Sequence, residues 1–271
     1  MGARETMMTL AAMNAPSVRD RVSAAEWETR VELAAFYRVV SGLGMTDLIH
    51  NHITARVPGT LDAFLINPFG LDYAEITASS LLKIDLDGEL LPPSPRDGPV
   101  NRAGFVVHSA IHAARHDLAC VAHTHTRAGV AVASLECGLL PLNQNALRFE
   151  GDLAYHDYEG PALNLQERAR LVADLGDCDN MILRNHGLIA AGSTVAQAYI
   201  NLVSLETACR MQVDALSCGQ PLRQVSPEAV AASRAVYAAG RRPNDPRMLA
   251  GTMEWTAARR RLDAASEDYK T

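Results

Sequence analysis

The chain is poor in the features that would place it outside a cell, in a membrane or on nucleic acid. Its five cysteines, Cys120, Cys137, Cys178, Cys209 and Cys218, form no Cys-x-x-Cys pair. An odd, scattered set reads as reduced thiols in a cytoplasmic protein, with Cys120 and Cys209 as small core residues. Charges interrupt every apolar run well short of a membrane span. The N-terminal stretch carries Arg4, Glu5, Arg19, Asp20 and Arg21 and lacks a long apolar centre, which argues against a secretory signal. Positive charge is not in excess either. With 25 Lys and Arg against 31 Asp and Glu, the formal charge is −6, and nothing points to a nucleic-acid surface. The basic run Arg259-Arg260-Arg261 reads as a solvated helix face.

Apolar residues are plentiful. They make up 48% of 271 residues, which is enough for one sizeable core. Residues 1–22 read as a flexible leader, 23–218 as the main domain, and 219–271 as a helical tail packed on that domain. Ser23 is placed to cap a helix that ends near Gly42 and Gly44, with Glu26 at the capping-box position. Short strands are expected within 49–57, 64–67 and 81–86, the last closed by Asp87-Gly88. A helix over 102–115, a strand over 118–123 and a further helix from about Arg127 follow. Asn164 to Glu167 has N-cap character for the next helix. Residues 180–184 and 188–191 read as strands, and Thr194 with Gln197 caps a long amphipathic helix. This irregular alternation points to an α/β sandwich with a mixed or antiparallel sheet rather than a βαβ series.

Three histidines carry the chemistry. In Ala122-His123-Thr124-His125 two imidazoles lie two residues apart at a strand end, so they point to the same side. His186 sits in Arg184-Asn185-His186-Gly187, where the glycine marks a turn. Three imidazoles suit a divalent transition metal with one position left open for chemistry. Taken singly, each histidine reads equally well as a hydrogen-bonded core residue.

Several stretches together resemble the class II aldolase/adducin family over residues 29–216: Ile66-Asn67-Pro68-Phe69-Gly70, Ile84-Asp85-Leu86-Asp87-Gly88, His116-Asp117-Leu118 through Thr126, and Ile182 through Leu188. The resemblance implies an α/β/α three-layer sandwich around a largely antiparallel sheet. It implies that His123, His125 and His186 are ligands of a divalent metal, zinc first, with iron(II) or manganese as alternatives. It also implies a small-molecule substrate and a homo-oligomer, commonly a homotetramer with sites at subunit boundaries.

The match to the sugar-phosphate aldolases breaks at one element. Their Ser-Ser-Glu, which holds phosphate and supplies the general base, falls on Arg102-Ala103-Gly104. The glycine-asparagine of another phosphate loop falls on Asn51-His52. A phosphorylated sugar is therefore not the expected substrate. Val100 through Phe105, His108 through Arg115, Cys137 through Pro141 and Ala154 through Gly160 instead resemble the adducin branch. Three uses of the site follow. One is a metal-dependent lyase performing aldolase-type cleavage or decarboxylation on a small hydroxy- or keto-acid. Another is a non-haem iron(II) oxygenase or decarboxylase, since aminocoumarin-pathway oxygenases resemble this branch. The last is a non-catalytic adducin-like oligomeric scaffold.

Tyr158 lies at a position like the family's catalytic tyrosine, a proton donor to the departing fragment. Its alternative is a half-buried loop tyrosine. His108 and His112 sit four residues apart on one helix face, with His116 extending the stripe. His108, one turn after Gly104, is a candidate base or donor behind the metal. His52 and His156 are each placed to contact a carboxylate substrate but read first as loop residues, Glu206 as a structural partner in the long helix, and Tyr269 as part of a disordered tail.

Overall fold

A computed structural model describes residues 17–94, 99–160, 166–241 and 251–271. The fold is built on a seven-stranded mixed sheet: β1 (His52–Arg56), β2 (Ala63–Ile66), β3 (Leu82–Asp85), β4 (Cys120–Thr124), β5 (Leu153–His156), β6 (Asn180–Leu183) and β7 (Gly187–Gly192). Spatial order is β3-β2-β1-β4-β7-β6-β5. Every pair is antiparallel except β5 with β6. In the centre, β1 and β4 align so that His52 faces His123 across the ladder, and β7 flanks β4 on its other side.

Among the described residues eight α-helices accompany the sheet: α1 (Ala24–Gly42), α2 (Arg102–Ala114), α3 (Arg127–Ala133), α4 (Gln144–Leu147), α5 (Glu167–Leu175), α6 (Val195–Ser217), α7 (Pro227–Arg241) and α8 (Thr252–Ala265). On one face, α1, α6 and α8 bury Phe36, Val40, Leu202 and Trp255 against Ile53, Cys120 and Ala122. On the other, α2 and α5 bury Val107, Ile111, Leu171 and Leu175 against Val121, Met181 and Ile189. Successive residues of β4 thus face opposite layers, which is the period-2 geometry of a strand buried on both sides. No helix among the described residues is long and apolar enough to cross a membrane.

Local sequence explains the helix starts. Ser23 accepts a hydrogen bond from the Glu26 amide, and Thr194 accepts one from the Gln197 amide. Glu26 does not complete a capping box. Its carboxylate is held instead by Arg30 at 3.1 Å and Lys83 at 2.9 Å. Arg30, fully buried, also donates to the carbonyls of Ala78, Leu81 and Pro93, so a single side chain ties α1 to the segment around β3.

Several expectations are corrected. Tyr269 is not disordered: it is 1% exposed, its hydroxyl donates to Asp263, and its carbonyl accepts from the Ala78 amide. Arg259 is not simply solvated, because it pairs with Glu32 and donates to the Tyr269 hydroxyl. His52 opens β1 and His156 closes β5, both buried, so neither is a loop residue. Residues 19–21 form a 3₁₀ turn and Val18 is buried, so the segment just before Ser23 is ordered. The rest of the leader, residues 1–16, and the proposed cap at Asn164 lie outside the described residues.

Candidate metal centre

His123, His125 and His186 come together at the end of the sheet, each offering one nitrogen within 4.8 Å of the others. His123 is supplied by β4. His125 follows one residue beyond the strand, where Thr126 caps α3 by accepting from the Gly129 amide. His186 sits in the turn joining β6 to β7. Asn185 there has φ of 57°, a left-handed conformation that asparagine tolerates better than most residues. Arg184 braces the turn by donating to the Leu135 carbonyl at 2.8 Å. Gly187 already belongs to β7. A Cβ there would lie 2.5 Å from the Thr124 carbonyl oxygen and 3.3 Å from His123 Cε1. The glycine after His186 is therefore required by the close approach of β7 to β4.

Hydrogen bonds behind the rings fix two of the three tautomers. His123 Nδ1 lies 2.9 Å from the Leu188 carbonyl, and His125 Nδ1 lies 3.0 Å from Asp47 Oδ2. Both partners only accept, so both Nδ1 atoms carry hydrogen and both Nε2 atoms present lone pairs. Those Nε2 atoms are 2.8 Å apart, and His125 Nε2 is 3.0 Å from His186 Nε2. No proton stands between the nitrogens of His123 and His125, so their contact is repulsive unless a cation joins them. A tetrahedral zinc with bonds of about 2.0–2.1 Å spaces its ligand nitrogens by about 3.3 Å, so these two contacts would open by a few tenths of an ångström around one. Burial and the surrounding imidazoles favour the neutral form of His123 and His186. His123 is pushed well below the usual histidine range, and His186 is lowered to about 4 by burial and by His125. Neutral imidazole is the ligating form.

The cluster lines an open pocket of about 540 Å³ with Asp47, His50, His52, Phe69, Asn101, Tyr158 and Asn185. A second cleft of about 530 Å³, beside Arg56 and the start of α6, contains none of the three histidines. Tyr158 is 53% exposed, its ring centroid 6.2 Å from that of His186. His108 is fully buried and set back from the pocket. Its Nε2 lies 2.8 Å from His52 Nδ1, and its Nδ1 lies 2.6 Å from Thr54 Oγ1. His112 joins the same buried group, 2.8 Å from Thr54 Oγ1, and burial with the nearby Arg56 lowers it to about 3. Its ring stacks on Phe64. His156 Nδ1 lies 2.7 Å from Asp174 Oδ2, and His156 is not among the residues lining the pocket. Glu206 accepts from Thr126 and is paired with Arg210, which anchors the segment carrying His125 to α6.

Asp47 and Asn51 both contact His125, which motif reading, with Asn51 aligned to a phosphate loop and Asp47 unassigned, does not anticipate. Asn51 accepts from the His125 amide at 3.1 Å and donates to the Met45 carbonyl, so it holds the ligand segment in place. Asn143 caps α4 and does not line the pocket.

A profile of the Class II Aldolase and Adducin N-terminal domain matches residues 31–213. The chain belongs to the class II aldolase/adducin family. The crystal structure of an aldolase II superfamily protein from Pseudomonas syringae is 49% identical, covers 94% of this chain and 100% of that one, and superimposes with a TM-score of 0.87. Alpha-adducin of Mus musculus is 46% identical over 194 residues, which span 71% of this chain but 26% of the adducin. L-fuculose 1-phosphate aldolase from Glaciozyma antarctica is 25% identical, covers 97% of this chain and 99% of its own, and has a TM-score of 0.78. The family thus includes an aldolase of the same fold and an adducin, and membership alone does not choose between them. The α/β/α sandwich and the three-histidine cluster are features of this chain's own structure.

Proposed function

We propose that this protein is a divalent-metal-dependent lyase of the aldolase type, acting on a small, non-phosphorylated hydroxy- or keto-acid by C–C cleavage or decarboxylation. One observation carries the reading: two lone-pair nitrogens, His123 Nε2 and His125 Nε2, face each other at 2.8 Å on the wall of an open pocket, with His186 beside them. His123, His125 and His186 would hold the metal, zinc in the first instance. Bound there, such an ion acts as a Lewis acid that polarises a carbonyl and stabilises the negative charge left by bond cleavage. Tyr158, exposed at the pocket rim, donates a proton to the departing fragment. His108 is one imidazole removed from the pocket and acts through His52. Residues 23–218 form the catalytic domain, with the tail packed on it, in a cytoplasmic homo-oligomer.

The similarity to an L-fuculose 1-phosphate aldolase supports the reaction class, and the altered element Arg102-Ala103-Gly104 supports a substrate without phosphate. The position where sugar-phosphate aldolases carry their base has no side chain here. The similarity to alpha-adducin favours a second reading, an oligomeric scaffold without catalysis. Metal analysis of protein purified without added metal separates the readings. Zinc or manganese near one per chain supports the lyase, and tightly held iron with oxygen uptake supports an oxygenase on the same residues. Failure to take up any of these metals on reconstitution supports the scaffold.

A further inference from the structure

Gly104 and His52 share one volume. A Cβ at position 104 would stand 2.2 Å from His52 Cδ2 and 2.4 Å from His52 Nε2. The His52 imidazole lies where a side chain from α2 would otherwise project, and it lines the pocket with its ring centroid 5.0 Å from that of His123. It is not one of the three clustered ligands.

Behind His52 runs a buried chain of hydrogen bonds. Arg56 Nη2 donates to the His112 carbonyl at 2.6 Å and lies 3.4 Å from His112 Nδ1, with the Arg115 and Leu118 carbonyls at 3.4 and 3.5 Å. When its second hydrogen goes to His112 Nδ1, that nitrogen accepts and the imidazole hydrogen sits on Nε2. That hydrogen points to Thr54 Oγ1 at 2.8 Å. The single hydroxyl hydrogen of Thr54 then goes to His108 Nδ1 at 2.6 Å. His108 in turn carries hydrogen on Nε2 and donates to His52 Nδ1 at 2.8 Å. With Nδ1 accepting, the one hydrogen of neutral His52 is on Nε2, which has no partner among the described residues. In this polarity the chain leads from Arg56 at the closed end to an Nε2–H at the open end, whereas a hydrogen on His112 Nδ1, given to the Leu118 carbonyl, reverses every bond in it.

We infer that the chain runs in the first polarity, so that His52 presents Nε2–H to the pocket as a hydrogen-bond donor that binds a substrate carboxylate, selecting small 2-hydroxy- or 2-oxo-acids. The donor stands beside the histidine cluster, its ring centroid 5.0 Å from that of His123, within reach of a second group of a small molecule that the cluster would hold. The described residues lining the pocket include no lysine or arginine. Neutral donors such as His52 and Asn101 match one carboxylate better than a phosphate dianion, which calls for cationic or multiple backbone donors. A neutral imidazole held as a donor by its surroundings is a known catalytic device. His52 touches the substrate. Thr54, His108, His112 and Arg56 are positioning residues that act through it.

This inference rests on the lyase reading for what occupies the three histidines, and the test keeps the two separable. The full chain is loaded with cobalt(II), and its visible spectrum is followed while glycolate, or hydroxyacetone as the uncharged analogue, is added. Glycolate should bind, and His52→Leu should weaken it about tenfold or more while cobalt content and hydroxyacetone binding stay unchanged. His52→Gln, which restores an N–H near the Nε2 position, should recover most of the loss. Thr54→Val, which breaks the chain without touching the pocket, should weaken glycolate severalfold. Unchanged glycolate binding in His52→Leu with cobalt retained, or no glycolate binding by the cobalt-loaded wild type, overturns the inference and leaves the lyase reading standing. If the wild type takes up no cobalt, the lyase reading fails. The donor is then judged on the metal-free chain by ¹⁵N spectra of labelled histidine: hydrogen on His52 Nε2 supports it, and hydrogen on Nδ1 overturns it.

Discussion

Asp47 accepts the Nδ1 hydrogen of His125 across 3.0 Å, although 78 residues separate the two in the chain. The contact orients the ring and raises the basicity of the nitrogen aimed at the cluster. Asp47→Ala should therefore lower zinc affinity by about 10- to 100-fold with little change in fold. Chelator competition against the two proteins measures this directly, and equal dissociation constants would show that the contact does not tune the site.

His123→Ala should lose bound metal while keeping its secondary structure. The ring is buried against Leu188 and His52, so some destabilisation is expected, but the sheet around it is held by the neighbouring ladder. Metal content by plasma emission, read beside circular dichroism, tests it. Full metal content in a folded variant would refute the three-histidine assignment.

Gly104→Ala should destabilise the protein, although alanine is favoured over glycine by about 1 kcal/mol in a helix. The added methyl meets the His52 ring at 2.2 Å, and overpacking of this kind costs about 1–3 kcal/mol. In a His52→Ala background the same change should become neutral or stabilising. A double-mutant cycle of urea unfolding reads the coupling, and additivity of the two changes would mean the ring moves aside freely.

Stability should fall as pH drops below about 6.5. His112 is lowered to about 3 by burial and by Arg56, whereas the unfolded chain titrates near 6.5. Between those values the unfolded state holds a proton that the folded state does not, so unfolding gains ground as pH falls. The contribution is complete above about pH 6.5 and lost on the way down to about 3. Its slope is about 1.4 kcal/mol per pH unit for one histidine. Urea midpoints between pH 7.5 and 4.5 should show it, and His112→Gln should flatten the curve; an unchanged slope in a folded variant would place the effect elsewhere.

Tyr158→Phe should lower kcat by about 10²- to 10⁴-fold and leave metal content intact, as expected for loss of a proton donor. Its 53% exposure makes a large effect on folding stability unexpected. Unimpaired turnover would assign Tyr158 to the pocket rim alone.

The parts of the fold that depend on local signals were legible. Ser23 and Thr194 are capping residues by type and by the position of the helix that follows, and both cap. His123 and His125 are brought together by strand periodicity, and His186 by its turn. The neighbours of these residues were not legible, because they depend on register. His52 reaches His108 only because β1 pairs with β4 so that residue 52 faces residue 123. A signal was present all the same. His52, Thr54 and Arg56 repeat every second residue, whereas His108 and His112 repeat every fourth. Two polar faces of matched chemistry, one with the period of a strand and one with that of a helix, predict a buried seam between sheet and helix. Asp47 carries no such mark, since its partner is set by how a loop closes over the sheet end.

The shared volume of Gly104 and His52 also constrains how such a protein can change over generations. A lineage holding an imidazole at 52 cannot acquire a side chain at 104 in one step without a steric penalty, and a lineage with a carboxylate at 104 has no room to gain the imidazole. The two states are alternatives separated by a disfavoured intermediate. Descendants of either should keep their own pairing, and grafting one function onto the other requires both positions to be replaced together.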